Sequence, residues 1–332
     1  MDRTERPDLL LRLRLRGFGR GARLLVAALL VACQHAGTRV FVANSGDGTV
    51  SVVDHELEHE IRVLPVGLFP QGLALRSDPP LLAVASSHSG SVSLIDPLTL
   101  EVVRKEIRVG RFPTGLAFST DGGRLYVANY DGRSVSVIDV ARGEVLGEAI
   151  DVPGKPLRLA ISGQGRQLFV LLHQKAGGVA VVDTATQAVT RTIAVDPFPS
   201  DLALRPGGKR LFVASFNGDS VAEIDLESLE TTRVLDIDTG HGLLVHPTRP
   251  LLYSLVSFDD EVLVYDYERG HEVARIPVGQ SPVYSALTPD GRFLYVVNSS
   301  DSNLMKIDTE TNRVLLRIAV GVEPADAICF DP

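Results

Sequence analysis

Residues 55–59 read His-Glu-Leu-Glu-His, the H-E-x-x-H pattern that holds zinc between two imidazoles, with the glutamate as base. That chemistry needs a helix, because only a helix puts residues four apart on one face. These residues follow Asp54 at a place where the chain elsewhere has DPLTLE, DTATQA and DTETNR, so a turn entering an outer strand is expected. Seven aspartates, Asp54, Asp96, Asp139, Asp183, Asp225, Asp266 and Asp308, invite a metal ring but fit turn-starters whose carboxylates accept backbone N–H groups. A C-x-x-C-H haem attachment, a phosphate loop and a G-x-S-x-G nucleophile elbow are all absent from the sequence. The remaining candidates are Arg158, Asp201, Tyr284 and Asp326, with His241, Tyr130 and His173. Together they could bind a carboxylate or sugar through Arg158, with His241 titrating near neutrality for acid–base work. The plainer reading is a polar surface that needs only water. No metal and no cofactor are expected, although Asp201, Asp238 and His241 offer a conceivable metal set.

These candidates gain meaning from the units that carry them. The seven aspartates are 42, 43, 44, 42, 41 and 42 residues apart, a repeat that occupies the chain from residue 38 to its end. Around Asp139 the unit resolves into four strand-like segments, 113–119, 124–129, 134–139 and 143–152. Asp-Gly turns join them, and Gly accepts the positive φ such hairpins require. VFVA, LYVA and LFVA are apolar throughout, as in strands covered on both faces. The fourth segment alternates charge with aliphatics, as in EVVRKEIRV, which suits an exposed edge. Four antiparallel strands at this period predict an all-β, seven-bladed β-propeller. The C-terminal PADAICF (324–330) would supply the innermost strand of the blade begun by TRVFVA (38–43), closing the ring.

The repeat calls for Pro-x-Gly at the entrance of the innermost strand, and the Gly slot reads Gly72, Gly115, Arg158, Asp201, Gly242, Tyr284 and Asp326. Four slots carry a functional side chain where the backbone rule asks for none. His241 stands beside a fifth. The hairpins on the same face add His88, Tyr130, His173, Phe216 and Phe258. His246, in the opposite-face turn VHPTRP, shows no partner in the sequence.

YVAN, SVSVID, IPVG, PTGLAF and TPDG resemble the YVTN-type β-propeller repeat over essentially all of residues 38–332. The resemblance implies a secreted or surface seven-bladed propeller. It implies no single activity, since such propellers include binding proteins, adhesive modules and cousins with lactonase or redox roles.

The first 33 residues differ in kind. They hold seven Arg against three acids, so the rest of the chain is four charges more negative than its formal −8. A body that acidic repels phosphate backbones and excludes nucleic acid as a partner. Arg12, Arg14, Arg16, Arg20 and Arg23 lead into the nine-residue apolar run Leu24–Ala32, too short to span a bilayer. Leu30-Val31-Ala32-Cys33 resembles the bacterial lipobox, which implies a signal peptide over 1–33, lipid on Cys33 and a short linker over 34–37. Gln34 after the cysteine favours, by the same resemblance, the outer membrane. With Cys33 acylated, Cys329 has no thiol to pair with. The expected protein is an exported, lipid-anchored monomer. It would act as a scaffold binding an unknown small molecule or envelope protein and touch the membrane through the lipid alone. A lactonase-like hydrolase and a purely structural envelope protein are the alternatives.

Overall fold

A computed structural model describes residues 37–205, 207–216 and 219–332. Cys33 and its signal-like segment lie outside them. Among the described residues the chain forms seven antiparallel sheets and no helix. The second blade runs through β4 (Pro70–Ser77), β5 (Pro80–Ser86), β6 (Ser91–Asp96) and β7 (Glu101–Arg108) in order from the axis outward. The fourth, fifth, sixth and seventh blades begin on β13 (Pro156–Ile161), β17 (Pro199–Leu204), β21 (Leu243–Val245) and β25 (Pro282–Leu287). In the third blade, β8 (Pro113–Phe118), β9 (Arg124–Asn129) and β10 (Ser134–Asp139) take the expected places. Its outer strand departs from the expected continuous 143–152. It breaks into β11 (Glu144–Val145) and β12 (Ile150–Asp151), both paired to β10, because Gly147 between them adopts φ +57°.

The ring closes as the end sequences predict. β29 (Pro324–Phe330) pairs antiparallel with β1 (Arg39–Asn44), Phe41 opposite Ile328 and Val42 opposite Ala327, and β2 (Thr49–Asp54) and β3 (His59–Pro65) complete that blade. Innermost strands touch in the cycle β29, β4, β8, β13, β17, β21, β25 and back to β29. The core lies between blades, and aliphatics dominate it: Phe41, Val52, Leu64 and Phe330 of the first blade pack on Leu73, Leu82 and Ile95 of the second.

The repeated phrase holds each blade together in a specific way. Asn129 Nδ2 donates to Ser134 and Ser136 across the β9–β10 hairpin, while its Oδ1 accepts the Gly110 N–H. Asn44 donates in the same manner to Thr49 and Ser51. Of the seven third-strand aspartates, six accept the N–H groups two and three residues on with one oxygen, as Asp54 does from Glu56 and Leu57; Asp139 accepts only from Arg142. They are turn-starters, and His55–Glu58 forms a turn, not a helix, with His59 already the first residue of β3. His246 is not isolated: it is buried, its Nδ1 accepts the Thr248 and Arg249 N–H groups, and its Nε2 donates to Gly291 O.

Candidate ligand site at the channel mouth

Six innermost strands enter through proline and slip register just past it, as between Pro199 and Asp201 or Pro282 and Tyr284. Such a bulge re-aims the next side chain. At the Gly slot it aims that side chain at the neighbouring blade. A Cβ on Gly72 would stand 1.9 Å from Thr114 O, and one on Gly115 would stand 2.6 Å from Leu157 O.

Where the slot is aspartate, the side chain uses that proximity. Asp201 Oδ2 accepts the Leu243 N–H of the sixth blade at 2.8 Å, and its Oδ1 accepts Leu202 N–H. Asp326 Oδ2 accepts the Leu73 N–H of the second blade at 2.9 Å, and its Oδ1 accepts Ala327 N–H. Both carboxylates tie blades together, and both are buried. The conceivable metal set is not assembled: Asp201 is engaged with backbone N–H groups, and Asp238 pairs with Arg275 at 2.6 Å.

Arg158 and Tyr284 meet these carboxylates on the axis. The guanidinium stacks on the Tyr284 ring at 3.8 Å, and its Nη1 lies 3.6 Å from Asp326 Oδ2. Burial pushes Asp326 up to about 6 despite the pull of Arg158, and burial likewise raises Asp201. Burial works against the Arg158 charge too, but Tyr284, Asp326 and Asp201 outweigh it. This quartet separates two spaces. Above it opens a mouth cavity of about 930 Å³, and below it a second cavity of about 460 Å³ lined mostly by aliphatics; Arg158 and Tyr284 border both.

His173 and His241 reach the mouth cavity but not the quartet's contacts. His173 Nδ1 lies 3.0 Å from Pro199 O, which can only accept, so Nδ1 carries the proton and Nε2 the lone pair. Ser257 Oγ donates to Pro282 O at 2.6 Å, so it accepts from His241 Nδ1 at 2.9 Å. His241 Nε2 therefore also presents a lone pair. Burial, reinforced by His173 and Arg158, lowers the His241 pKa and keeps the ring neutral near pH 7. Tyr130 stays on the rim, where Lys155 Nζ sits 4.7 Å from its ring centre.

Three residues escaped the sequence reading. Phe69, Phe112 and Phe198 precede the entry prolines with φ of +59°, +56° and +52°, a region bulky residues seldom adopt. They alternate with the hairpin residues into an aromatic arc. Phe69 stacks on His88 at 4.5 Å, His88 meets Phe112 at 5.7 Å, and Phe112 meets Tyr130 at 6.1 Å. Tyr130 then meets His173 at 6.2 Å, and His173 meets Phe198 at 5.7 Å. Phe216 continues the lining beside His241 at 5.0 Å. The recurrence of Phe-Pro at 69–70, 112–113 and 198–199 was the available signal.

Among solved structures, hydrazine synthase of Kuenenia stuttgartiensis superposes with a TM-score of 0.74 at 24% identity, covering 81% of this chain and 91% of that one. The periplasmic gluconolactonase PpgL of Pseudomonas aeruginosa gives 0.73 at 21%, covering 89% and 99%. The dihydro-heme d1 dehydrogenase NirN in complex with DHE gives 0.64 at 19%, covering 88% and 75%. At these identities the likeness establishes the propeller fold. No curated protein sequence matches the chain. The model of the cytochrome D1 heme domain matches residues 37–251, a span containing His173, Arg158 and His241. The chain belongs to the cytochrome D1 heme domain family.

Proposed function

We propose that this protein is an exported binding propeller whose channel mouth takes a haem-type macrocycle. The observation that carries the reading is the pair His173 and His241, two imidazoles with Nδ1 protons tied down and Nε2 lone pairs free in one aromatic-lined cavity. An imidazole oriented by a carbonyl or hydroxyl partner is a prepared iron ligand. Among the described residues no three His, Cys, Asp or Glu side chains gather as a metal-binding group. A macrocycle that brings four nitrogens of its own does not need one. Phe69, Phe198 and Phe216 on the cavity wall supply flat apolar surface for the ring. When bound, such a group would supply iron for redox or small-ligand chemistry; the protein's part is to hold it and exclude water.

Hemin titrated into the purified full-length chain tests this. A Soret shift is expected, and His173→Ala with His241→Ala weakens binding at least about tenfold, or about 1.4 kcal/mol. Equal affinity in the double variant overturns the reading. The second reading, a lactonase-like hydrolase with neutral His241 as base beside Arg158, gains support if His241→Ala instead abolishes turnover of a sugar lactone.

The scaffold is monomeric and of the YVTN-type repeat in this proposal, and lipid on Cys33 anchors it to the envelope. Lipidation predicts that detergent-phase partitioning is lost in Cys33→Ser; a variant that partitions like the parent removes the anchor.

A further inference from the structure

Arg158 is a buried charge left poorly satisfied. Its side chain is only 15% exposed, yet its buried Nε has no hydrogen-bond partner, and Asp326, 3.6 Å from Nη1, is a charge neighbour only. The Tyr284 hydroxyl stacked against it has no partner in hydrogen-bond geometry either, although Asp201 stands near enough to pull on its proton. Buried donors without acceptors are costly, and for a charged donor the cost is highest. The two carboxylates close by do not relieve it: each already accepts two backbone N–H groups, and neither brings an oxygen within hydrogen-bond distance of the guanidinium. Ser200, bordering the mouth, and Ser285, bordering the lower cavity, are buried with hydroxyls likewise unpartnered.

We infer that Arg158 and Tyr284 form a receptor for the carboxylate of an organic acid entering from the mouth, and that its arrival places a proton on the Asp326–Asp201 pair. A planar carboxylate is the acceptor that matches a guanidinium whose Nε edge is unpartnered. Leu157, Val283, Phe198 and Phe216 above the guanidinium provide an apolar enclosure, so the acid has an aromatic or branched body. Tyr284 now covers the guanidinium, and the carboxylate binds as that ring tilts aside and turns its hydroxyl to the anion.

Proton uptake follows from charge. One guanidinium already faces two carboxylates, and the groups around Asp326 are Arg158 from β13, Asp201 from β17, Tyr284 from β25 and the Leu73 N–H from β4. A third negative charge there is not compensated. Asp326 is raised to about 6, so above that pH the free site is ionised and binding must draw in a proton. Below it the proton is already present. Affinity therefore falls as pH rises through and above about 6 and is flat below.

The inference rests on the mouth being a ligand site but not on the histidines. Benzoate, benzyl alcohol and benzylamine are titrated calorimetrically into the full-length chain between about pH 5 and pH 7.5. Benzoate binding is expected to weaken about tenfold per unit above pH 6, with the alcohol and amine at least about tenfold weaker than benzoate at pH 5. Arg158→Gln eliminates benzoate binding, Tyr284→Phe weakens it about tenfold, and Asp326→Asn flattens the pH dependence. The slope persists in His173→Ala/His241→Ala, which separates it from imidazole titration. Unchanged benzoate binding in Arg158→Gln, a pH-independent affinity in the parent, or no benzoate binding at all overturns the inference. The last result with hemin still binding leaves the macrocycle reading standing, and the reverse leaves this one. If Asp326→Asn does not fold, the parent slope and Tyr284→Phe decide.

Discussion

A chain truncated after Glu323 does not fold cooperatively. The nine residues removed include β29, the innermost strand of the first blade, and β1 is then left with a bare inner edge on the channel axis. The loss includes the pairing from Arg39–Phe330 to Asn44–Pro324 and the buried Ala327, Cys329 and Phe330. It also removes the Asp326 link to Leu73, so β4 loses its neighbour on one side. Burying Phe330 alone is worth about 1.5–3 kcal/mol, and a whole strand with its ladder approaches the 5–15 kcal/mol that separates a typical domain from its unfolded state. Circular-dichroism melting and size exclusion check this. A cooperative transition within a few degrees of the full chain would show that the ring does not depend on its seam.

Among the described glycines, Gly72 leaves the least room for an added methyl, and Gly72→Ala is expected to be strongly destabilising. The new methyl would sit 1.9 Å from the Thr114 carbonyl oxygen of the next blade, and a Cβ has no rotamer by which to escape. The innermost strands β4 and β8 must part, which costs about 3 kcal/mol or more and lowers Tm by roughly 6–12 °C. Gly163→Ala is the control, since nothing lies within 4 Å of its Cβ position and its Tm should hold. Equal melting of the two variants would mean that the blades are not packed at the slot as described.

These two results also separate the legible from the illegible. The period of the third-strand aspartates, the Asp-Gly hairpins and the complementary ends specify seven blades and their closure, because strand alternation and turn chemistry are local and repeat. The same repetition exposed Arg158, Asp201, Tyr284 and Asp326 as departures from glycine. It could not say which way they turn. Asp201 and Asp326 read as ligand groups, yet each crosses to a backbone N–H of the next blade. His173 and Tyr130 read as equivalents from neighbouring hairpins, yet only His173 lines the mouth.

Sequence alone determined the ring, the slot and the list of residues that interrupt it, since each is a statement about one unit against its copies. Only the tertiary structure decided that Arg158 and Tyr284 divide the channel and that two imidazoles keep free nitrogens above them. The reason is distance along the chain: Arg158 and Asp326 are brought together by closing the circle, the His173 tautomer is set by Pro199 in the blade that follows, and that of His241 by Ser257, itself oriented by Pro282 of the next blade.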